Sequence, residues 1–111
     1  MKGKIRLLPS LREKKRYIAY KILSEKTINE KTAKNAVCSY VMKFLGELNY
    51  SKAGIMLVEQ NNLNGIIKTG HMHVNEVKTA LALINEIDNN IVNVRSTYVS
   101  GVLNKARKRG G

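Results

Sequence analysis

The spacing of the hydrophobic residues changes repeatedly along the chain, and this change constrains the fold more than any other feature. Apolar residues alternate from Arg16 to Leu23 and then recur at three- and four-residue steps from Ala33 to Leu48. Two short β-rich runs follow, a second helical pattern spans Met72 to Asp88, and alternation returns from Ile91 to Val99. Alternation is typical of a half-buried strand and the longer spacing of an amphipathic helix, so the order β-α-β-β-α-β is predicted.

Residues at the ends of these runs predict where the elements begin and end. Thr27-Ile28-Asn29-Glu30 matches a capping box, which places Thr27 at the N-cap of the first helix. Gly46 weakens the last turn of that helix and helps to end it. The segment Asn61–Asn64 separates the runs 53–60 and 65–69, and its Asn residues tolerate positive φ, so a β-hairpin is predicted there.

This element order is the split βαβ plan of ferredoxin-like domains, an α+β sandwich within the broad α/β class. Each helix has a single apolar stripe, so both helices are expected on one face of an antiparallel sheet. After the fourth strand, Ser100 is a candidate N-cap for a short basic helix from Val102 to Arg109, with Gly110-Gly111 fraying beyond it. The first and fourth strands are antiparallel neighbours in this plan, which brings residues 12–16 and 105–109 to one edge of the sheet.

The charge of the chain is concentrated at its two ends. The net charge is +12, from 20 Lys and Arg against 8 Asp and Glu. Residues 1–16 hold seven basic side chains and one acidic, residues 100–111 hold four basic and none acidic, and residues 17–99 are nearly neutral. Such cationic ends attract phosphate backbones through counterion release, whereas solubility alone does not require this segregation. The candidate RNA-binding residues are Arg12, Lys14, Lys15, Arg16, Arg95, Lys105, Arg107, Lys108 and Arg109.

Length and composition indicate one domain in a reducing compartment. The 111 residues are divided into a basic N-terminal arm, 1–14, and a single ferredoxin-like domain with its C-terminal basic helix, 15–111. A single cysteine, Cys38, excludes an internal disulfide framework. Because no apolar run approaches the roughly 20 residues of a membrane span, a cytoplasmic chain without a membrane partner is predicted.

The chain contains few residues that could carry catalysis. Its carboxylates are scattered, and the close pair Glu86 and Asp88 points to different sides of the predicted helix. His71 and His73 flank the start of that helix without a third predicted ligand, so no metal, cofactor or catalytic site is expected. A hydrolase would need a cluster such as Glu59, Glu76 and a histidine in one metal site.

A comparison with the RNA-recognition motif, which shares the β-α-β-β-α-β order, separates two modes of binding. That motif stacks bases on aromatic residues of its third strand, whereas the corresponding run here, GIIKTG, has none. Tyr17 on the first strand is the remaining stacking candidate. Recognition of the nucleic-acid backbone and shape by Lys and Arg is therefore favoured. Residue patterns alone leave open an alternative function, a general RNA- or DNA-binding module such as a small ribosomal or chromatin protein.

Three segments resemble a known family. PSLREKKRYIAYKILSE near the start and VRSTYVSGVLNKARKR near the end are similar to the family of archaeal ribonuclease P protein component 2, which is related to a small protein subunit of the eukaryotic enzyme. GIIKTGHMHVNEVKTALALINEI resembles the third strand and second helix of that family. The resemblance covers about Pro9 to Arg109 and is most specific at Leu11-Arg12, Lys14, Arg16-Tyr17-Ile18 and Val99-Ser100-Gly101.

The resemblance implies a ferredoxin-like subunit of the ribonucleoprotein that removes the 5′ leader from precursor tRNA. The RNA subunit would carry the active site and its magnesium ions, and this chain would bind no cofactor. The implied partners are the ribonuclease P RNA, protein component 3 in a heterotetramer of two copies each, other ribonuclease P proteins and, indirectly, precursor tRNA. The basic edge would face the RNA, and the remaining sheet surface would serve component 3 and self-association.

Overall fold

A computed structural model describes residues 14–110, which fold as a five-stranded antiparallel sheet with helices on both faces. In chain order, the elements are β1 (Lys15–Ser24), α1 (Glu30–Leu45), α2 (Glu47–Lys52), β2 (Met56–Asn61), β3 (Asn64–Gly70), α3 (Val74–Ala82), β4 (Glu86–Ile87), β5 (Asn90–Ser100) and α4 (Leu103–Gly110). The strand order β2-β3-β1-β5-β4 confirms the predicted ferredoxin-like plan. Of the predicted arm, only Lys14 lies within the described residues.

The central strand β1 supplies the middle of the main core. Its alternate residues Ile18, Tyr20 and Ile22 are fully buried and face the layer formed by α1 and α3. Ile67 of β3 and Val94 of β5 lie directly beside this row, opposite Ile18 and Ile22 respectively. Each fully buried side chain of this kind contributes about 1.5–3 kcal/mol, so the period-two pattern of β1 fixes which face of the sheet the helices cover.

The first helix begins two residues later than the capping box predicts. Asn29, not Thr27, is the N-cap, and its Oδ1 accepts hydrogen bonds from the backbone N–H groups of Lys31 and Thr32 at 2.8 and 3.4 Å. The Glu30 carboxylate does not close a capping box but accepts from the backbone N–H of Asn62 at 2.8 Å. Asn is as good an N-cap as Thr, and this register frees Glu30 to connect α1 to the β2–β3 turn.

Gly46 ends α1, as predicted, because its φ of 83° is a conformation that favours glycine. The chain then forms the short helix α2, which the sequence did not predict. The buried stripe of α1 ends at Leu45. Phe44 and Leu48, expected to face the core, are 46% and 68% exposed.

The second predicted helix is shorter than its apolar pattern. It begins with a 3-10 turn at His71–His73 and ends at Ala82, not at Asp88. Asp88 and Asn89 have φ of 54° and 62° and form a tight turn that pairs β4 with β5. Ile84 and Ile87 lie after the helix but are still buried. Their spacing therefore also fits the apolar stripe of a helix. The prediction that Glu86 and Asp88 are helical was therefore wrong.

The predicted hairpin is confirmed, with Asn62 at a φ of 52° in its turn. β2 starts at Met56 and not at Ala53, because Ala53 and Gly54 form a turn after α2. Ala53 remains buried, and its carbonyl accepts from the backbone N–H of Gly70 at 2.8 Å. The start of the hairpin is thus held against the end of β3.

The C-terminal helix α4 packs on the sheet face opposite α1 and α3. Ala106 joins Ala19 and Ile66 in a second, smaller core, with Leu103 and Tyr98 packed against it. The expected fraying at Gly110 is wrong: this residue is buried in the last turn of α4, and its carbonyl lies 2.8 Å from the Thr97 hydroxyl. Gly111 lies outside the described residues. No helix within residues 14–110 is long and apolar enough to cross a membrane.

Candidate nucleic-acid interface

The start of β1 and the start of α4 lie side by side. The β1–β5 register pairs Tyr17 with Ser100, which confirms that the end of the last long strand lies beside the beginning of the first. Arg16 therefore reaches the loop before α4, where its Nη1 lies 3.4 Å from the position that a Cβ on Gly101 would take. Lys14 and Lys15 are exposed at the same end of β1. Arg12, also predicted to bind RNA, lies outside the described residues.

The second group of basic residues lies on α4, whose C-terminal end is held against β5 by the contact between Thr97 and Gly110. The helix begins at Leu103, and Ser100 is not its N-cap as predicted: the Ser100 Oγ accepts from the backbone N–H of Val102 at 3.0 Å in the loop before the helix. Lys105 and Lys108 are exposed, and the guanidinium carbon of Arg109 lies 5.9 Å from the ring centroid of Tyr98. A guanidinium over an aromatic face at this distance is held by a cation–π attraction. We call Lys14, Lys15, Arg16, Lys105, Lys108 and Arg109 the cationic face.

Arg107 differs from the other cations of α4. Its Nε donates to the carboxylate of Glu59 on β2, and its Nη1 lies 3.3 Å from the Asn104 side-chain oxygen. Among residues 14–110, this pair and the His73–Glu76 contact are the two salt bridges. The charge of Arg107 is thus compensated within the fold, whereas within the same range no carboxylate pairs with the cationic face.

Arg95 does not join the other predicted residues. It lies opposite Lys21 on β1, five residues beyond Arg16. At the rise of a strand, this separation is about 17 Å. Like charges directly opposite each other on neighbouring strands repel and destabilise the pair. The structure therefore separates Arg95, which lies opposite Lys21, from the cationic face.

Two further lysines on the α4 side of the sheet were missed in the sequence. Lys21 shares the outward side of β1 with Tyr17, and Lys68 lies directly opposite Tyr17 on β3. Both follow from strand alternation combined with the ferredoxin-like strand order. The charge segregation in the sequence indicates only the two ends of the chain. Lys21 and Lys68 extend the positive charge across the sheet.

Groups that could carry catalysis are dispersed. His73 Nδ1 lies 2.9 Å from Glu76 Oε1 on the side of α1 and α3, whereas Glu59 pairs with α4 on the opposite side. Within residues 14–110, no three His, Cys, Asp or Glu side chains are grouped as a metal site. Cys38 is partly buried, and this burial raises the pKa of its thiol despite a side-chain hydrogen bond with Tyr50 and the nearby charge of Lys34. The nucleophile is the thiolate, and a thiol with a raised pKa forms less of it at neutral pH.

The sheet order, the two-sided helical cover and the cationic face define a small basic protein of the ferredoxin-like class. Within that class, the chain belongs to the Rpp14/Pop5 family, whose model matches residues 16–110. The match begins at Arg16 and includes all of β1 except Lys15 and all of α4.

Relatives of the chain carry a consistent name. The Ribonuclease P protein component 2 of Pyrococcus furiosus is 34% identical over 105 residues, which cover 93% of this chain and 88% of the relative. The protein of that name from Methanocaldococcus jannaschii is 39% identical over 101 residues, 91% of this chain and 75% of the relative. The Methanosarcina mazei protein is 32% identical over 104 residues, 94% of this chain and 90% of the relative.

A solved structure shares the fold at low sequence identity. A chain in the cryo-EM structure of yeast ribonuclease MRP superposes with a TM-score of 0.61 and 12% identity, covering 82% of this chain and 76% of that chain. At this identity, the likeness concerns the fold alone.

Proposed function

We propose that this chain is a protein subunit of ribonuclease P and binds the RNA subunit of that ribonucleoprotein. The observation that carries the proposal is the cationic face: six basic side chains from both ends of the described chain, on adjacent elements, without carboxylate partners in residues 14–110. Family membership and the names of the relatives support RNA as the partner of this face.

The proposed mechanism is electrostatic and structural. Lys and Arg side chains at the start of β1 and along α4 contact phosphates and release condensed counterions. They lower the repulsion between RNA strands that the active fold of the RNA brings together. The chain itself carries no catalytic group in this proposal, and the RNA supplies the active site and its magnesium ions. Removal of the 5′ leader of precursor tRNA is the reaction that results.

We further propose that the chain acts together with protein component 3 in the cytoplasm, in a heterotetramer of two copies each, alongside other ribonuclease P proteins. Precursor tRNA is contacted indirectly, through the RNA. Apolar side chains exposed away from α4, Phe44 and Leu48 among them, leave room for protein contacts that do not compete with RNA.

The RNA-binding role is tested by removing charge from α4 and from α1 in equal amounts. In one variant Lys105, Lys108 and Arg109 are replaced by Ala, and in the control Lys31, Lys34 and Lys43 are replaced by Ala. All six are exposed helical cations, so helix propensity and net charge change similarly in both. Binding to the ribonuclease P RNA is measured by filter retention over a series of salt concentrations.

We expect the α4 variant to lower the slope of log affinity against log salt by about 2 to 3, close to one contact for each cation removed. The α1 control should keep the wild-type slope. Equal slopes for both variants would show that RNA does not select the α4 side of the sheet. Tight binding of component 3 in the absence of RNA distinguishes a ribonuclease P subunit from a general nucleic-acid binder.

A further inference from the structure

Positive charge lies on both sides of the point where α4 contacts the sheet. The helix packs on Ala19, in the middle of the central strand. Lys68 lies two register positions to one side of Ala19, whereas Lys21 and Arg95 lie two positions to the other side. At the rise of a strand, each position is about 7 Å from the helix contact, and the two are about 14 Å apart. The strand cations therefore flank α4.

The cations on this side of the sheet are not balanced by carboxylates. Lys105 and Lys108 are exposed on α4, and among residues 14–110 neither they nor the three strand cations form a salt bridge. Glu59 contacts α4 but is paired with Arg107. Glu86 lies on the edge strand β4, which β5 separates from β1. A polyanion would therefore meet unpaired cations on α4 and on both sides of it.

The aromatic rings on this side are not presented for stacking on bases. Tyr17 and Tyr98 are partly buried and pack against the small core beneath α4. The guanidinium of Arg109 also lies over the Tyr98 ring. Proteins that hold single-stranded RNA combine a basic groove with aromatic side chains on which the bases stack. Within residues 14–110, this side of the sheet offers the cations without an exposed ring, which disfavours a single strand.

The cations are attached to a framework that fixes the distances between them. Those on the sheet belong to β3, β1 and β5, which are adjacent and paired by hydrogen bonds. The end of α4 is held to β5 by the contact of 2.8 Å between the Thr97 hydroxyl and the Gly110 carbonyl. A ligand with phosphates at fixed distances loses less conformational entropy on such a surface than a flexible strand does. A double helix is a ligand of this kind.

A double helix also provides two phosphate backbones, one for each side of α4. The minor groove of an RNA helix is wide and shallow, and proteins recognise it through its shape and its phosphates. An α-helix with its side chains is about 10 Å across, so α4 can lie along such a groove while the flanking strand cations reach the two backbones.

We infer that the α4 side of the sheet binds double-helical RNA, with α4 along the minor groove. Lys68 contacts one backbone, and Lys21 and Arg95 contact the other. This assignment rests on the proposed function, since the double helix belongs to the RNA held by the cationic face. It enlarges the RNA contact beyond that face by three cations and specifies the form of RNA that is bound.

The test compares a short blunt RNA duplex of mixed sequence with a single-stranded oligouridine of the same total number of nucleotides. Affinities for the full chain are measured by fluorescence anisotropy over a series of salt concentrations. We expect the duplex to bind about tenfold more tightly and with the steeper salt slope, because it presents more phosphates to the fixed cations. Excess duplex should also displace the labelled ribonuclease P RNA, whereas oligouridine at the same concentration should not.

A pair of charge-matched variants tests the contacts beyond the cationic face. The double variant Lys21→Gln/Arg95→Gln should lower the salt slope for the duplex by about 2, close to one contact for each cation removed. The control Lys31→Gln/Lys78→Gln removes two exposed cations from α1 and α3, on the opposite side of the sheet, and should keep the wild-type slope. All four side chains are exposed, so both variants should fold.

Equal affinities for duplex and oligouridine, or a slope for the duplex that survives the loss of Lys21 and Arg95, would overturn the double-helix assignment. If the ribonuclease P RNA still binds in that case, and binds less steeply to the variant lacking Lys105, Lys108 and Arg109, the proposed function stands without it. If the ribonuclease P RNA itself fails to bind, both proposals fall.

Discussion

Replacing Gly110 with alanine tests whether the position of α4 on the sheet creates the RNA-binding surface. A Cβ on Gly110 would lie 2.1 Å from Ala19 Cβ, 3.1 Å from Thr97 Oγ1 and 3.4 Å from Tyr98 Cβ. Two of these atoms are Cβ atoms fixed by the backbone of β1 and β5, so rotation of a side chain cannot relieve the contact. The end of α4 must move away from the sheet by about 1 Å or more to reach ordinary van der Waals separation.

The cost of this displacement has two parts. Overpacking of this kind costs about 1–3 kcal/mol. If the last turn detaches instead, the contact between the Thr97 hydroxyl and the Gly110 carbonyl is lost, which costs about 1 kcal/mol. We therefore expect Gly110→Ala to lower the free energy of unfolding by about 1–3 kcal/mol in urea titrations. Arg109, removed from its position over Tyr98, should also contribute less to RNA affinity although no charge has been deleted.

Gly101→Ala is the matched control, because it makes the same change at an exposed glycine just before α4. There the nearest atom to the added Cβ is Arg16 Nη1 at 3.4 Å, an ordinary contact at the end of a flexible side chain. This control should stay within about 0.5 kcal/mol of wild type. If Gly110→Ala is as stable as Gly101→Ala and binds RNA equally well, close docking of α4 is not what forms the surface.

Three further outcomes are expected. Glu59→Gln releases Arg107 from its ion pair and should raise the salt slope of RNA binding by about 0.9, the effect of one added phosphate contact. The double variant Glu59→Gln/Arg107→Ala should keep the wild-type slope, and filter-binding titrations measure both. Burial raises the pKa of Tyr20 above its ordinary value of about 10, so its share of the stability is present below that pH and is lost as the pH rises further. The fall in unfolding free energy above pH ~10 should accordingly be shallower in Tyr20→Phe, as measured by urea titrations across that range. Replacing residues 12 and 14–16 together with Ala should keep the circular dichroism spectrum of the fold and lower the salt slope for RNA; an unchanged slope would exclude this segment as a contact.

The strand and helix order could be predicted because hydrophobic spacing and element order agree along the chain. Ile18, Tyr20 and Ile22 alternate with outward residues, and the structure buries all three. The errors occur where a short-range signal has a close competitor. Asn29 competed with Thr27 for the N-cap, and the spacing of Ile84 and Ile87 fits a helix although these residues enter a tight turn and a short strand.

The interface could be predicted only in part from the sequence. Adjacent ends of β1 and β5 follow from the ferredoxin-like strand order, which brings Arg16 to the loop before α4. The sequence does not specify on which sheet face α4 packs, since that depends on the small side chains that receive it, Ala19 among them. The pairing of Arg107 with Glu59 depends on that same docking and therefore could not be predicted either.

One reconstitution tests the proposed role most directly. Cleavage of precursor tRNA by the ribonuclease P RNA is measured at limiting magnesium in the presence of protein component 3, with and without this chain. The chain should increase the rate of 5′ leader removal and lower the magnesium concentration required, because its cations screen phosphate repulsion in the RNA. The variant lacking Lys105, Lys108 and Arg109 should do so less than the α1 control. A cleavage rate that is the same with and without the chain would contradict the proposal.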